Sequence, residues 1–165
     1  MQIKNVFFLI LMEHNLLQAI VQEKMLRKYN QFNSKRRIKK LTEGELRHCS
    51  ELAEQVRYGG NPEHKRNPGD FGLAPTNGPR PGKSLCDAVG IFSRQVALVL
   101  LQSGLRKGLI SDRFNADWPQ NIWSVTGDGY PLEAQLENPV TGTYHGYPMP
   151  SSDPLVAEIV RQWNI

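Results

Sequence analysis

The chain has little cysteine. Its 165 residues include only two, Cys49 and Cys86, which stand 37 positions apart. Disulfide-rich scaffolds and zinc sites need more cysteines, usually in close pairs such as C-x-x-C. The cysteine content excludes both classes, so no metal and no other cofactor is expected. Two buried thiols in a reducing compartment are the simplest expectation.

Long apolar runs are also missing. The run VFFLILM at residues 6–12 has only seven residues, whereas a membrane-spanning helix needs roughly 18 or more. Glu13, His14 and Asn15 follow it, where a signal peptide would place small residues before its cleavage site. The sequence therefore predicts no membrane partner, no export and a cytoplasmic location.

Positive charge is scarce in the C-terminal third. Residues 111–165 hold 2 of the 20 Lys/Arg residues but 7 of the 16 Asp/Glu residues. The basic residues are densest in residues 24–40, which hold eight Lys/Arg and no acid. Such a segment pairs with RNA or another polyanion through phosphates, and it is equally typical of a solubilising linker. The candidate nucleic-acid-binding residues are Lys35, Arg36, Arg37, Lys39 and Lys40.

The expected fold is α+β, with a small antiparallel sheet near the C-terminus and three to four helices packed on one face of it. Residues 130–137 alternate apolar and polar side chains, which is typical of a half-buried strand. Turns flank this strand, and shorter strands over 122–125 and 143–147 complete a meander of three to four strands. Residues 1–41 are expected to form an N-terminal helix and a basic arm, partly mobile, and residues 42–165 a single domain.

Capping residues predict where the helices begin. Thr42 and Glu45 have the spacing of a capping box. Ser84 is predicted to cap a long apolar helix over residues 85–107. A last short helix is predicted to begin at residues 153–154, with aspartate as its cap and proline as its first residue.

A long irregular segment precedes the apolar helix. Residues 61–82 hold five prolines and four glycines, and structureless connections of this length are uncommon in compact domains unless they are functional. The segment is basic and the polar face of the sheet is acidic. We therefore expect the loop to lie against that face and to bring His64, Lys65 or Arg80 near His145.

The residues that could carry chemistry lie in this loop and on the sheet. A carboxylate that takes the 2′-hydroxyl proton, a histidine that protonates the leaving oxygen and a cation that holds the phosphate suffice for metal-free RNA cleavage. The same side chains would also be ordinary in a solvated surface with ion pairs. The candidate catalytic residues are Glu133, His145, His64, Lys65, Arg80 and Tyr147.

Two resemblances bear on the function. A leading helix followed by an antiparallel sheet with Glu133 and then His145 resembles the small microbial ribonucleases and ribonuclease toxin domains. This resemblance covers roughly the last third of the chain and implies a metal-independent ribonuclease. The segments YGGNPEHK at 58–65 and GTYHGYP at 142–148 resemble a set of uncharacterised small bacterial proteins and imply no activity.

The sequence departs from the ribonuclease toxins in one respect. Those domains usually carry an arginine on the sheet, and this sheet has none, so the cation would come from Lys65, Arg66 or Arg80 in the loop. The alternative function is a non-catalytic module that binds nucleic acid or a cognate protein partner.

Overall fold

The computed structural model describes residues 36–75 and 82–165. The predicted N-terminal helix and two of the candidate residues, Lys35 and Arg80, lie outside these ranges. The described residues belong almost entirely to one compact unit, which includes residues 36–75, 82–151 and 155–165. None of the described helices is long and apolar enough to cross a membrane.

The described part of the chain contains three α-helices and six strands. The helices are α1 (Glu43–Gln55), α2 (Arg94–Arg106) and α3 (Val156–Trp163). The strands are β1 (Arg57–Tyr58), β2 (Phe114–Asn115), β3 (Trp118–Pro119), β4 (Asn121–Val125), β5 (Pro131–Asn138) and β6 (Thr143–Pro148). Short 3-10 segments occupy Pro62–His64, Pro68–Phe71 and Cys86–Val89.

The fold is α+β, as predicted, but the main sheet is mixed and not purely antiparallel. Its strand order is β1-β6-β5-β4. Strands β4, β5 and β6 form the predicted antiparallel meander. Strand β1 adds parallel to β6, with Arg57 opposite Thr143 and Tyr58 opposite Tyr144. A two-residue strand shows no periodicity, so this pairing could not be predicted from a local pattern. Strands β2 and β3 form a separate two-stranded sheet.

The helices pack on both faces of the sheet, so the expectation that they share one face is wrong. One hydrophobic cluster joins α1 and α2 to the face that carries Ile122 and Leu132. A second cluster joins α3 to the opposite face, where Trp123 meets Ile159. Neighbouring residues of a strand point to opposite faces, so Ile122 and Trp123 belong to different clusters. The sheet is therefore covered on both sides at its β4 end.

The predicted helix starts are partly right. The capping box is present, because the Thr42 side chain accepts from the Glu45 backbone and the Glu45 side chain accepts from the Thr42 backbone. The predicted helix over 85–107 is wrong, since Gly90 takes a left-handed conformation with φ of 77° and ends a short 3-10 turn. Ser93, not Ser84, caps α2.

The last helix begins two residues later than predicted. Residues 154 and 155 lie in a turn, and α3 begins at Val156 with Leu155 as its N-cap. Aspartate followed by proline is also a common turn sequence, which explains the error.

Candidate active site at the edge of strand β6

The long loop contacts the end of β6 that β1 leaves uncovered. Strand β1 pairs only with residues 143–144. Beyond them, the Tyr58 hydroxyl reaches the carbonyl oxygen of Gly146 at 3.4 Å, and Sγ of Cys86 lies 3.6 Å from the same oxygen. The ring of His64 stacks on Tyr147, with centroids 4.9 Å apart and planes 19° from parallel. The loop thus packs against the sheet around residues 146 and 147.

His64 is held in one orientation by its neighbours. Asn61 caps its 3-10 turn by accepting from the Glu63 backbone N–H. The Nδ1 atom of His64 lies 2.8 Å from the carbonyl oxygen of Ser84. A carbonyl oxygen only accepts, so Nδ1 carries the proton and Nε2 of the neutral ring has a lone pair. Nε2 is therefore the ring atom that can accept a proton, although His64 itself is buried, with 5% of its surface exposed.

His145 and Tyr147 lie on the same face of β6, because they stand two positions apart. The Tyr147 hydroxyl oxygen accepts from Nε2–H of Gln135 on β5 at 2.8 Å. The Nδ1 atom of His145 is buried and has no hydrogen-bond partner among the described residues. Nδ1 of His145 is therefore a buried polar atom with which no described residue forms a hydrogen bond.

Burial lowers the pKa of both histidines. For His64, desolvation is the main cause, the bond to Ser84 opposes it, and the charges of Lys83, Lys65 and His145 lower the pKa further. For His145, desolvation is again the main cause, Lys65 and Lys83 act in the same direction, and the carboxylate of Glu137 opposes them. Both rings are thus neutral near pH 7, and each lies within electrostatic reach of the same two lysines.

Lys65 is fully buried beneath this surface. Its ammonium nitrogen lies 3.2 Å from the Tyr58 hydroxyl and 2.8 Å from Sγ of Cys86. It also sits over the ring of Phe71, 4.4 Å from the centroid, and over that of Tyr58 at 5.7 Å. These aromatic faces favour a cation. A side chain with no exposed surface cannot contact a phosphate directly, so Lys65 acts on the site only through its charge.

Lys83 is the described loop lysine that is partly exposed near the histidines. Its nitrogen lies 3.8 Å from a carboxylate oxygen of Glu63, and a third or so of its side chain is exposed. An ion pair of that length at a surface is weak. Lys83 can therefore exchange Glu63 for a phosphate group at little cost.

Glu133 shares the strand face of Tyr147 but is sealed inside the protein. The structure pairs Glu133 with Tyr147 across β5 and β6. Only 1% of its surface is exposed. The guanidinium of Arg36 binds the carboxylate through two nitrogens at 2.9 and 2.5 Å, and Asn121 donates to it at 2.7 Å. This carboxylate is an internal anchor for the chain around Arg36.

The described part of the basic segment is tied to the domain. Arg36 binds Glu133, and the Lys39 side chain binds Glu45 at 2.9 Å. The Lys39 backbone N–H donates to Ile110 at 2.9 Å. Arg37 and Lys40 remain exposed at the surface, with Arg37 only loosely paired to Asp112 at 3.8 Å. Of the predicted nucleic-acid-binding residues that the structure describes, Arg37 and Lys40 are the best exposed.

Sequence reasoning missed several residues of this region. Gln135 orients Tyr147, Ser84 fixes His64, and Tyr58, Phe71 and Cys86 surround Lys65. Their roles depend on contacts between segments distant in sequence. The strict alternation of β5 could have identified Gln135, since it places that residue on the face of Glu133 and Glu137. No local signal pointed to the others.

Comparisons of the chain with models of protein families, with curated proteins and with solved structures find no match. Among residues 36–75 and 82–165 there is no group of three or more histidine, cysteine or acidic side chains arranged to hold a metal ion.

Proposed function

We propose that this chain is a metal-independent ribonuclease-like domain, of the toxin type, that cleaves RNA by acid–base catalysis at the edge of β6. The observation that carries the proposal is the pair of desolvated histidines: His64 stacks on Tyr147, His145 lies on the same strand face as Tyr147, and lysine charge is nearby. Two histidines and a cation supply the base, the acid and the phosphate ligand that cleavage next to a 2′-hydroxyl requires.

The two histidines differ in a way that supports separate roles. Burial and the charges around His64 favour its neutral form, the bond to Ser84 opposes them, and that bond leaves Nε2 as the proton acceptor. The pKa of His145 is also lowered, but the carboxylate of Glu137 opposes the effects of burial and of the two lysines, so His145 is the histidine with a carboxylate that favours its protonated form. We assign His64 as the base that takes the 2′-hydroxyl proton and His145 as the acid that protonates the leaving 5′-oxygen.

The two lysines have different parts in this proposal. Lys83, which is partly exposed, binds the phosphate and stabilises the negative charge that develops on its oxygens. Lys65 is buried and adds positive potential beneath the site. Arg80, which belongs to the same loop, remains a candidate for phosphate binding.

Glu133 does not fit the role of base that the sequence proposed for it. Its carboxylate is buried and bound by Arg36 and Asn121, so a ribose hydroxyl has no access to it. The proposal accordingly transfers the base from Glu133 to His64.

Cleavage assays with two matched RNAs test the proposal. The purified protein should cut an unmodified oligonucleotide in the presence of a chelator and leave 2′,3′-cyclic phosphate ends. It should leave the 2′-O-methyl version of the same oligonucleotide intact, because that RNA has no 2′-hydroxyl to act as nucleophile. Lys83→Ala should slow cleavage and Lys83→Arg should retain most of it. Intact RNA, or equal cutting of both RNAs, would refute the proposal.

A protein-binding module is the second candidate, and one surface feature favours it. Three apolar side chains near the start of α2, Phe92, Val96 and Val99, are about half exposed. Val96 and Val99 line a groove of about 360 Å³ between α2 and the turn at residues 126–128. Exposed apolar patches mark interaction sites more often than chance. Binding of a protein partner that is lost on Val99→Asp, together with intact RNA in the assay above, would favour this function.

A further inference from the structure

Two reactive side chains, Lys65 and Cys86, contact each other in the interior of the described structure. Nζ of Lys65 lies 2.8 Å from Sγ of Cys86, and the side chains are 0% and 2% exposed. The Tyr58 hydroxyl and the Phe71 ring hold the amine in this position. An amine and a thiol are thus fixed in contact inside the protein, without competition from water.

The two groups also complement each other in charge. Within the described residues, no carboxylate lies within ion-pair distance of Nζ of Lys65. Burial raises the pKa of the Cys86 thiol, and the Lys65 charge opposes that effect. A thiolate at Cys86 would lie in contact with the Lys65 ammonium group, so the two charges would neutralise each other at this site.

A small cavity borders Cys86. Its volume is about 20 Å³, which is enough for one molecule about the size of water. Tyr58 and Gly146 form part of its wall next to the thiol. A gap of water size therefore lies beside the sulfur, and hydrogen peroxide, which has one more oxygen atom than water, reaches Cys86 when the walls of this gap move apart.

We propose that Lys65 and Cys86 form a reversible sulfenamide cross-link when the protein meets peroxide. The thiolate attacks one peroxide oxygen, and the O–O bond breaks. The departing hydroxide takes a proton from the Nζ ammonium group and leaves as water. The sulfur is now a sulfenic acid and the amine is neutral. Nζ then attacks the sulfur, the S–O bond breaks, and the hydroxide leaves as water with a proton from the nitrogen. One thiol, one amine and one peroxide give one S–N bond and two waters.

The cross-link would close the loop that carries His64. Lys65 follows His64 directly, and Cys86 lies in the segment that contacts Gly146 of β6. A covalent bond between them fixes both ends of residues 66–85 against the sheet. The proposal is independent of the ribonuclease function, because it rests only on the Lys65–Cys86 contact and the cavity.

Mass spectrometry of the full-length protein tests the cross-link directly. After peroxide treatment the intact mass should fall by about 2 Da, the two hydrogens lost on bond formation, and dithiothreitol should restore it. Trypsin should no longer cut after Lys65, and a peptide joining Lys65 to Cys86 should appear. Sulfinic acid at Cys86 with normal cleavage after Lys65 would overturn the proposal, as would an unreacted Cys86.

Three variants test whether the mass change depends on Lys65 and Cys86. Cys86→Ser should abolish the mass change, whereas Cys49→Ser should retain it, because Cys49 is the other buried thiol and has no such amine partner among the described residues. Lys65→Arg should leave the sulfenic acid without its amine, so that dimedone traps it at Cys86. If thermal melting shows that Lys65→Arg does not fold, the peptide map of the unmodified protein still decides the question.

Discussion

Gly104→Ala tests the packing of α2 on β4, because it adds one methyl group at their contact. In an α-helix, Gly→Ala adds helix propensity worth up to about 1 kcal/mol. A methyl group at Gly104 would also overlap the backbone carbonyl oxygen of Trp123 and lie 2.8 Å from Cγ2 of Ile122. A strand backbone cannot rotate away as a flexible side chain can, so α2 must shift. Overpacking of this kind costs about 3 kcal/mol, which leaves Gly104→Ala about 2 kcal/mol less stable than the wild type.

Gly44 supplies a matched control in α1. The nearest atom to a methyl group there is Nη2 of Arg47 at 3.9 Å, which is ordinary contact. Gly44→Ala should therefore be neutral or more stable by up to about 1 kcal/mol. Urea unfolding, followed by the fluorescence of the tryptophans, measures both variants. Equal stability of Gly104→Ala and the wild type would refute the described contact between α2 and β4.

Two further predictions concern buried charge and pH. Glu133→Ala should lower the free energy of unfolding in urea by about 3 kcal/mol, because it leaves Arg36 without its buried partner. Glu137 is exposed, so Glu137→Ala should stay within about 0.5 kcal/mol of the wild type. Similar losses for both variants would contradict the anchor role of Glu133. The pKa values of His64 and His145 are lowered from 6.5 by folding, so the unfolded chain binds protons first as the pH falls. Their contribution to stability should be complete above about pH 6.5 and lost as the pH falls through the lower pKa values of the folded state. The variant with both histidines changed to glutamine should show a weaker dependence of stability on pH over that range. An unchanged pH dependence would argue against desolvated rings.

The parts of the fold that could be predicted are those with local signals. The capping box at Thr42 needs only two residues of suitable type three positions apart. The alternation over residues 130–137 identified β5, because every second side chain meets the same environment. The break at Gly90 and the pairing of β1 with β6 could not be predicted in this way. Both depend on what the surrounding structure buries, and tertiary packing overrides local preference in such short segments.

The residues of the candidate site also divide into those with a local signal in the sequence and those without one. His64, His145 and Tyr147 stood out because histidine and tyrosine near turns have distinctive chemistry. That the loop would carry His64 to the sheet followed from its length and its charge. The environment of Lys65 did not follow, because its contact with Cys86 spans 21 positions and is made inside the protein.

The central claim is tested most directly by the cleavage rates of three histidine variants. His64→Ala and His145→Ala should each slow RNA cleavage by about 100-fold or more, since each removes a proton-transfer group. His48→Ala should cleave at the wild-type rate, because His48 lies exposed on α1 and contacts only Glu51 among the described acids. The wild-type rate should peak below pH 6.5, since both histidines have lowered pKa values. Wild-type rates in His64→Ala or His145→Ala, under conditions where His48→Ala is also unchanged, would contradict the proposed mechanism.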